Sequence, residues 1–316
     1  MVRKMTNDHL HADVVTTDKT GDRGKYIDFP FPVQKISRRN HPLIRILLAF
    51  IKIVKLHKEI DIIFSLGGPW DSGIPAFFAK IVLNKPMVTK VNGDIAWERA
   101  RIKHLIEDGL EEFQRRRYSV RIEFFRWIQN FVVKRADAVV VPCKFTKRML
   151  MNWGVKDKVI RLIHNGVNNE VLPINLKDTL RSKLNLKNKL LVITVARLIP
   201  LKGIDKLIRL LPELRQNISL AIIGDGPERK NLELISDALG VKDRVIFTGN
   251  INRQEALGYL RASDLFVLYS DGESMPFSVL EAMVCGLSVV ASKVGGISEL
   301  IEDGKDGILI KLKDMP

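Results

Sequence analysis

Residues 264–285 read DLFVLYSDGESMPFSVLEAMVC, and this stretch decides the fold. Its start is an apolar run typical of a buried strand, and a polar turn follows at 270–272. Pro276 then suits the first turn of a helix, where its missing N–H is not needed, and an apolar helical pattern continues to Cys285. A strand that passes through a short turn into a helix is the repeating unit of an α/β sheet.

Two glutamates in this stretch, Glu273 and Glu281, are separated by seven residues. Glu273 closes the polar turn, whereas Glu281 shares a helix face with Phe277 and Cys285. A carboxylate on an apolar face is costly unless hydrogen-bond donors satisfy it, and vicinal sugar hydroxyls would do so. The pattern indicates a site for a ligand with hydroxyl groups and negative charge. The alternative is one surface carboxylate and one helix-packing carboxylate.

The same alternation of strands and helices extends along the whole chain. In the second half we predict strands near 190–196, 218–223, 244–248, 264–268, 288–291 and 307–310, and helices near 204–215, 228–239, 252–261, 276–285 and 296–302. In the first half we predict strands near 12–17, 26–36, 61–65, 86–91, 138–141 and 159–163, and helices near 42–58, 71–83, 96–112, 117–136 and 144–152.

A polar, turn-rich stretch from Asn165 to Lys177 separates these two blocks and predicts an interdomain linker. We therefore expect an α/β chain with two Rossmann-like domains, residues 1–168 and 169–316. The two domains would face each other across a cleft at the carboxyl ends of their strands, where ligands bind in open parallel sheets.

Four motifs occur in a fixed order along the second half. They are Arg197–Gly203 after an apolar strand run, Gly224–Pro227, the glutamate-containing segment 272–283, and Gly295–Leu300. Together they resemble the donor-binding half of the retaining GT-B glycosyltransferases of family 4. The resemblance covers about residues 10–310 and is strongest over 159–310. It implies an enzyme that moves a sugar, with retention, from a nucleotide-diphosphate donor to a glycan or lipid-linked acceptor.

The resemblance also implies roles for donor-side residues. Arg197 and Lys202 would stabilise the leaving diphosphate, Glu273 would contact the transferred sugar, and Glu281 would hold the ribose hydroxyls. Further donor contacts are expected from Gly226, Met275, Pro276, Phe277, Ser278 and Glu299. The alternatives are solvated cations for Arg197 and Lys202, a tight turn at Gly226, and a Glu299 that favours the first turn of its own helix.

The chain lacks an Asp-x-Asp motif, the usual sequence mark of metal-dependent transferases. A diphosphate leaving group can instead be stabilised by cationic side chains and helix N-termini. We therefore expect no metal and no cofactor, with the nucleotide sugar as a substrate.

Acceptor recognition is expected from the first half of the chain. The acceptor-side candidates are Gly68, Asn92, Asp94 and His164. Many relatives carry a histidine near Asn92, and Asp94 is the nearest polar substitute in this sequence. The alternative for Asp94 is a helix N-cap, and the alternative for His164 is a solvated turn residue.

The chain of 316 residues carries 51 Lys and Arg against 36 Asp and Glu, a net charge of +15. This balance favours anionic partners such as nucleotides, phosphorylated glycans or lipid head groups. No zinc-finger, RNP-type or helix-turn-helix signature accompanies it, so nucleic acid is not an expected partner. The two cysteines, far apart in apolar contexts, and the lack of an apolar segment before His11 predict a cytoplasmic protein.

Two apolar and basic segments predict peripheral contact with an anionic membrane at its inner face, each with an alternative. Leu43–Leu56 fits an amphipathic surface helix, but we favour a core helix because a strand pattern follows it. Arg115–Trp127 alternates arginines with aromatic residues, a pattern that fits a phosphorylated lipid or a membrane. A solvated helix with a buried aromatic face explains it equally well.

Two other functions stay open at this stage. A related GT-B phosphorylase or epimerase would use a similar pocket, and a fragment that only binds nucleotide sugars would keep the same motifs. The family usually opens with a strand and a glycine-rich loop and closes with further helices. Neither is recognisable in this sequence, so we expect a chain truncated at both ends.

Overall fold

The computed structural model describes residues 12–18, 32–167, 181–182 and 189–312. Its strands are β1 (Val14–Asp18), β2 (Val33–Ser37), β3 (Ile63–Leu66), β4 (Met87–Lys90), β5 (Ala138–Val141), β6 (Ile160–Leu162), β7 (Leu190–Val195), β8 (Ile218–Ile223), β9 (Val245–Gly249), β10 (Leu265–Leu268), β11 (Ser288–Ser292) and β12 (Ile308–Ile310). Its α-helices are α1 (Pro42–Lys55), α2 (Ile74–Leu83), α3 (Ile95–Ile102), α4 (Leu110–Arg115), α5 (Val120–Arg135), α6 (Lys144–Asn152), α7 (Ile204–Leu210), α8 (Arg229–Ala238), α9 (Arg253–Ala262) and α10 (Phe277–Val284).

The chain divides into two compact units. The first unit comprises residues 1–96, 118–141 and 147–162, and the second comprises 97–117, 142–146 and 163–316. The boundary that we predicted near residue 168 lies outside the described residues and stays a prediction.

The first unit contains two parallel sheets among its described residues, β1-β2 and β3-β4-β5-β6. Its core strands carry fully buried residues such as Met87 and Val139. Parallel strands that are covered on both faces read as continuous apolar runs, which is why the sequence located them well. A π-helical turn at Pro69–Gly73 follows β3 and leads directly into α2.

The second unit contains a six-stranded parallel sheet in the order β12-β11-β10-β7-β8-β9. The chain runs outward from β7 through β8 to β9 and then returns to the other side of β7 at β10. The strand order therefore reverses between β7 and β10. In open α/β sheets, ligands bind beyond the carboxyl ends of the strands at this switch point.

Three predicted helices differ from the structure. The helix expected at 96–112 is split into α3 and α4, because His104 adopts a left-handed backbone conformation that a helix cannot continue through. The helix expected at 204–215 ends at Leu210 and passes into a 3-10 turn that contains Pro212. At 296–302 only a 3-10 turn forms, over 297–299, because those residues are tied to neighbouring loops. Most of the predicted strand at 26–36 lies outside the described residues.

The favoured interpretation of Leu43–Leu56 as a core helix packed on a sheet is met only in part. It packs against α2 and β2, yet only Ala49 is fully buried on it. Leu43, Ile44 and Leu47 are all at least half exposed. The helix is therefore amphipathic, with an apolar stripe that faces solvent. Across the described ranges, no helix is both long enough and apolar enough to span a bilayer.

Candidate functional site

The loops after β7 and β10 meet at the switch point of the second unit. The Asp271 N–H donates to the Leu201 carbonyl over 2.9 Å, which ties the two loops together. Gly203 lies so close to the Tyr269 carbonyl that a Cβ would overlap it, so the loops can approach only with glycine at this position. This contact brings the predicted motifs 197–203 and 272–283 side by side.

Lys202 and Glu273 form an ion pair across this junction. Their side chains are 18% and 10% exposed, so the pair is largely shielded from water yet reachable from the strand ends. An ion pair of this burial is desolvated, and losing one partner leaves the other charge uncompensated. The structure therefore brings together two of the three residues predicted to be catalytic.

Arg197, the third of these residues, has a different partner. Its guanidinium pairs with Glu98 on α3, and its side chain is 64% exposed. The sequence prediction that Arg197 stands at the end of β7 is met, but Arg197 does not share the Lys202–Glu273 pair. An exposed arginine held by one carboxylate can exchange that partner for a phosphate at little cost.

Glu281 lies on α10 and accepts a hydrogen bond from Arg253 at the start of α9, over 3.1 Å. Only 18% of its side chain is exposed. The charged Arg253 donor satisfies the Glu281 carboxylate and offsets the cost of burying it on an apolar helix face. Its predicted ribose contact stays a prediction.

The start of α10 differs in one respect from the sequence prediction. Pro276 occupies the N-cap position, and Phe277 begins the helix. Proline has no N–H, so Pro276 cannot donate to a phosphate. The N–H groups that helix geometry leaves without an intrahelical acceptor begin at Phe277 and Ser278.

Met275 precedes this helix start and is anchored by a residue that the sequence analysis did not single out. The Asn165 side chain donates to the Met275 carbonyl over 2.8 Å, and Met275 itself is buried. Ser274, next to it, lies 2.6 Å from the Thr146 hydroxyl and 3.3 Å from the Cys143 sulfur. These polar contacts fix the segment that carries Glu273.

Gly295 and Gly296 hold the same segment from the other side. Gly296 donates its N–H to the Glu273 carbonyl over 3.0 Å. A Cβ on Gly295 would overlap that carbonyl oxygen, and the φ of Gly295 is +54°. Both the close approach and the left-handed backbone require glycine.

Gly226 and Glu299, both predicted to contact the donor, each have hydrogen-bond partners within the protein. The Gly226 N–H donates to the Asp225 carboxylate over 2.8 Å, and a Cβ at Gly226 would overlap the Leu198 carbonyl. Glu299 accepts the backbone N–H groups of Lys144 and Phe145, each over 2.8 Å. The alternative in which Glu299 favours its own helix is wrong, because its carboxylate serves the first turn of α6. Their contacts with a donor stay predictions.

Helix α3 contributes two further residues that the sequence analysis did not assign to the donor side. Arg101 pairs with Asp271, and both side chains are 16% exposed. The Trp97 ring lies against Gly272, where a Cβ would come within 2.6 Å of it. Their signal in the sequence was weak, because 170 positions separate Arg101 from its partner.

The acceptor-side candidates are found in two places. Gly68 and Asn92 line one open pocket in the first unit, together with Lys90 and Gln129. Burial lowers the pKa of the Lys90 ammonium group. The residues that line this pocket include no aspartate or glutamate.

Asp94 is buried, and its carboxylate contacts a residue that also lines this pocket. Its carboxylate accepts from the Gln129 side chain over 3.0 Å. Gln129 in turn accepts the N–H groups of Ile95 and Ala96, so Gln129 caps α3. Asp94 directly precedes α3, so its N-cap interpretation stays a prediction. The capping contact from Gln129 had no signal in the sequence.

His164 belongs to the second unit. Its Nδ1 is 2.9 Å from the Pro142 carbonyl. A carbonyl oxygen can only accept, so Nδ1 carries the proton in this contact. Within the described residues, no cluster of three or more His, Cys, Asp or Glu side chains has metal-binding geometry.

Two family models match consecutive parts of the chain. The model described as Glycosyltransferase Family 4 matches residues 1–171, and the model described as Glycosyl transferases group 1 matches residues 177–315.

Curated relatives match over about 200 residues. An uncharacterized glycosyltransferase of Methanocaldococcus jannaschii is 31% identical over 201 residues, which are 61% of this chain and 51% of the relative. A GDP-mannose-dependent alpha-(1-6)-phosphatidylinositol monomannoside mannosyltransferase of Mycolicibacterium smegmatis is 36% identical over 192 residues, 57% of this chain and 50% of the relative. The chain therefore spans about half the length of these curated relatives.

Solved structures match over nearly the whole chain. Anabaena Alr3699/HepE, in complex with UDP and glucose, has a TM-score of 0.73 and 22% identity, covering 95% of this chain and 86% of that one. A sucrose-phosphate synthase of Thermosynechococcus elongatus has a TM-score of 0.78 and 20% identity, covering 99% and 79%. These likenesses confirm the predicted fold class, an α/β chain with two Rossmann-like domains of the GT-B type.

Proposed function

This chain belongs to glycosyltransferase family 4, and we propose that it transfers a hexose, with retention, from a nucleotide-diphosphate donor to a glycan or lipid-linked acceptor. The observation that carries this proposal is the Lys202–Glu273 pair at the switch point between β7 and β10. One cation and one carboxylate stand together there, in the place where an α/β sheet binds a nucleotide.

In the proposed reaction, Lys202 and Glu273 separate and bind different parts of the donor. The donor diphosphate binds Lys202 and draws Arg197 from Glu98, because a dianionic group attracts both cations more strongly than one carboxylate does. Glu273 is then released from Lys202 and accepts hydrogen bonds from the sugar. As the bond from the anomeric carbon to the phosphate breaks, the acceptor hydroxyl oxygen bonds to that carbon on the same face, and its proton passes to the leaving phosphate. Lys202 and Arg197 stabilise the negative charge that develops on the leaving group.

Glu281 completes the proposed donor site by accepting the ribose hydroxyls while Arg253 keeps its carboxylate in place. The N–H groups of Phe277 and Ser278, at the start of an eight-residue helix, add partial positive charge toward the diphosphate. Cations and helix dipole together can take the role that a divalent metal has in other transferases. We therefore propose that transfer needs no metal.

The names of two similar proteins suggest which donors to test first. One relative is named as GDP-mannose-dependent, and one structural neighbour is a complex with UDP and glucose. GDP-mannose and UDP-glucose are accordingly the first donors to test.

The acceptor site is proposed at the pocket of the first unit that Gly68 and Asn92 line. Lys90 is the lysine that lines it, and its ammonium group attracts an anion. A phosphorylated acceptor, such as a lipid-linked phosphate sugar or a phosphoinositide, suits this lining better than a neutral glycan.

The experiment incubates the purified chain with UDP-, GDP- and ADP-sugars and measures nucleotide release with and without EDTA. We expect release from one donor that survives EDTA. Lys202→Ala should lower kcat/KM by about 100-fold, in line with the loss of one charge-stabilising group. Lys242→Ala, which removes an exposed lysine of the same unit, should leave turnover unchanged.

Three outcomes would separate the alternatives. Nucleotide binding without release or transfer to any acceptor would support a fragment that only binds nucleotide sugars. Phosphate-dependent turnover or formation of an epimer would support the phosphorylase or epimerase alternative. Failure to bind any nucleotide would contradict the donor site itself.

A further inference from the structure

Three helices of the first unit carry exposed apolar stripes. The exposed large apolar residues are Leu43, Ile44, Leu47 and Ile51 on α1, Phe78, Ile81 and Val82 on α2, and Val120, Phe124 and Trp127 on α5. Within each helix they follow three- and four-residue spacings, so they form a stripe on one side. Val120 is 88% exposed and Trp127 59%, which is unusual for side chains of this size.

A continuous series of aromatic rings joins α5 to α2. Phe124 stacks on Trp127 with ring centroids 6.1 Å apart, and Trp127 lies 5.4 Å from Phe131. Phe131 contacts Phe77 at 5.0 Å, and Phe77 contacts Phe78 at 5.5 Å. The series begins and ends with rings that are half exposed, so the stripes of α5 and α2 belong to one surface. We call the exposed residues of α2 and α5 the aromatic face.

The aromatic face is set among basic residues. Helices α1, α2 and α5 contain eight Lys and Arg against one acidic residue, Glu123. Arg126 pairs with Glu123 over 2.9 Å. Two more of the eight cations pair with acids outside these helices, Arg45 with Asp71 over 3.0 Å and Lys80 with Asp137 over 2.8 Å. The Arg135 guanidinium carbon lies 3.7 Å from the centroid of the Phe131 ring, which places a positive charge beside the aromatic series. Apolar side chains flanked by cations of this density are typical of helices that lie in a lipid interface.

We propose that the aromatic face, with the neighbouring stripe of α1, rests on an anionic lipid surface. Aromatic rings that are half exposed fit the boundary between acyl chains and head groups, where an apolar body and a polar surrounding are both satisfied. Lysines and arginines around them contact the phosphates of anionic lipids and add to the binding. The proposal concerns attachment alone and is independent of the transfer reaction.

Charge complementarity favours an anionic bilayer over two other possible occupants of this face, a second copy of the chain and an apolar protein partner. A second copy that docked through the same face would bring two strongly basic surfaces together and be repelled. An apolar protein partner would leave the surrounding cations without counter-charges. An anionic bilayer offers both the apolar layer and the negative surface.

The test is co-sedimentation of the full chain with vesicles, without any donor. We expect binding to vesicles of equimolar phosphatidylglycerol and phosphatidylcholine, and little binding to phosphatidylcholine alone. The double variant Val120→Ser/Trp127→Ser should lower the partition coefficient by about tenfold or more, because it removes inserted apolar groups. Arg121→Glu/Lys134→Glu should lower it by about tenfold, and added salt should weaken the wild type.

The matched control is Leu234→Ser/Ile308→Ser, which changes two similarly exposed apolar residues of the second unit. It should bind vesicles as the wild type does, and thermal unfolding should show that all variants are folded. Equal binding to neutral vesicles, or binding that neither pair of changes affects, would overturn the proposal. A concentration-dependent dimer that Val120→Ser/Trp127→Ser abolishes would identify a second copy as the occupant instead.

Discussion

Lys202 and Glu273 lie on the loops that follow β7 and β10 and neutralise each other at the point where the strand order reverses. The pair is largely buried, so each charge depends on the other. Glu273→Gln removes the carboxylate but keeps the shape of the side chain. We expect it to lower transfer strongly while nucleotide affinity is kept or increased, because Lys202 is then free for the diphosphate.

This prediction is measured by nucleotide binding and by turnover on the same preparations. Glu302→Gln, which changes the exposed partner of Lys305, is the control and should alter neither. Equal losses of nucleotide affinity and turnover in Glu273→Gln would instead indicate that Glu273 holds the loop in place.

A second prediction concerns Arg101 and Asp271. Arg101→Ala leaves the Asp271 carboxylate with little water and without its charged donor. We expect a loss of about 2 kcal/mol in the free energy of unfolding, the usual range for a hydrogen bond to a charged group. Lys305→Ala breaks an exposed pair and should cost less than about 0.5 kcal/mol. Urea unfolding measures both, and the double variant Arg101→Ala/Asp271→Ala should cost less than the two single losses added together.

Gly295 and Gly304 give a third prediction, because both have positive φ but only one is crowded. Gly304 has open space where a Cβ would lie, so Gly304→Ala should cost about 1 kcal/mol for the backbone alone. In Gly295→Ala the new Cβ would overlap the Glu273 carbonyl, so we expect a further loss of about 1–3 kcal/mol. Nucleotide affinity should fall only in Gly295→Ala. Similar losses of unfolding free energy in Gly295→Ala and Gly304→Ala would show that the backbone around Gly295 shifts to accommodate a Cβ.

The sequence predicted the strands of the six-stranded sheet well, for a physical reason. The strands of the second unit are covered on both faces, so each appears as an unbroken apolar run bounded by polar turns. The residues that follow β7 and β10 must then meet, because parallel strands end at the same edge. The proximity of Lys202 and Glu273 follows from strand order and needs no knowledge of side-chain packing.

Other contacts could not be predicted, because they join polar residues that are ordinary in their local context. Gln129 lies in the middle of α5 and caps α3, 34 positions away. Glu299 serves the first turn of α6 from 155 positions along the chain. Such partners depend on tertiary placement, and a single sequence carries no local signal for it.

The cap provided by Glu299 leads to a fourth prediction. Glu299→Ala leaves the N–H groups of Lys144 and Phe145 without their acceptor. We expect a loss of about 1 kcal/mol in the free energy of unfolding, as for other lost N-terminal caps. Glu299→Gln, which retains one acceptor oxygen, should lose less. Nucleotide affinity tests whether Glu299 also contacts the donor. An unchanged affinity in Glu299→Ala would contradict that predicted contact.

Asp137 gives a prediction for acid stability. Burial alone raises the pKa of its carboxyl group, but hydrogen bonds from Lys80 and from the Met87 N–H outweigh burial, and the net pKa is lowered from 3.8. A carboxyl with a lowered folded pKa stabilises the fold above its unfolded pKa, and this contribution is lost as the pH falls through the folded value. Below about pH 4 the wild type should therefore lose stability more steeply than Asp137→Asn. Asp61→Asn, at a 99% exposed carboxylate, should follow the wild type in urea unfolding over the same pH range, and parallel curves for all three proteins would contradict the assignment.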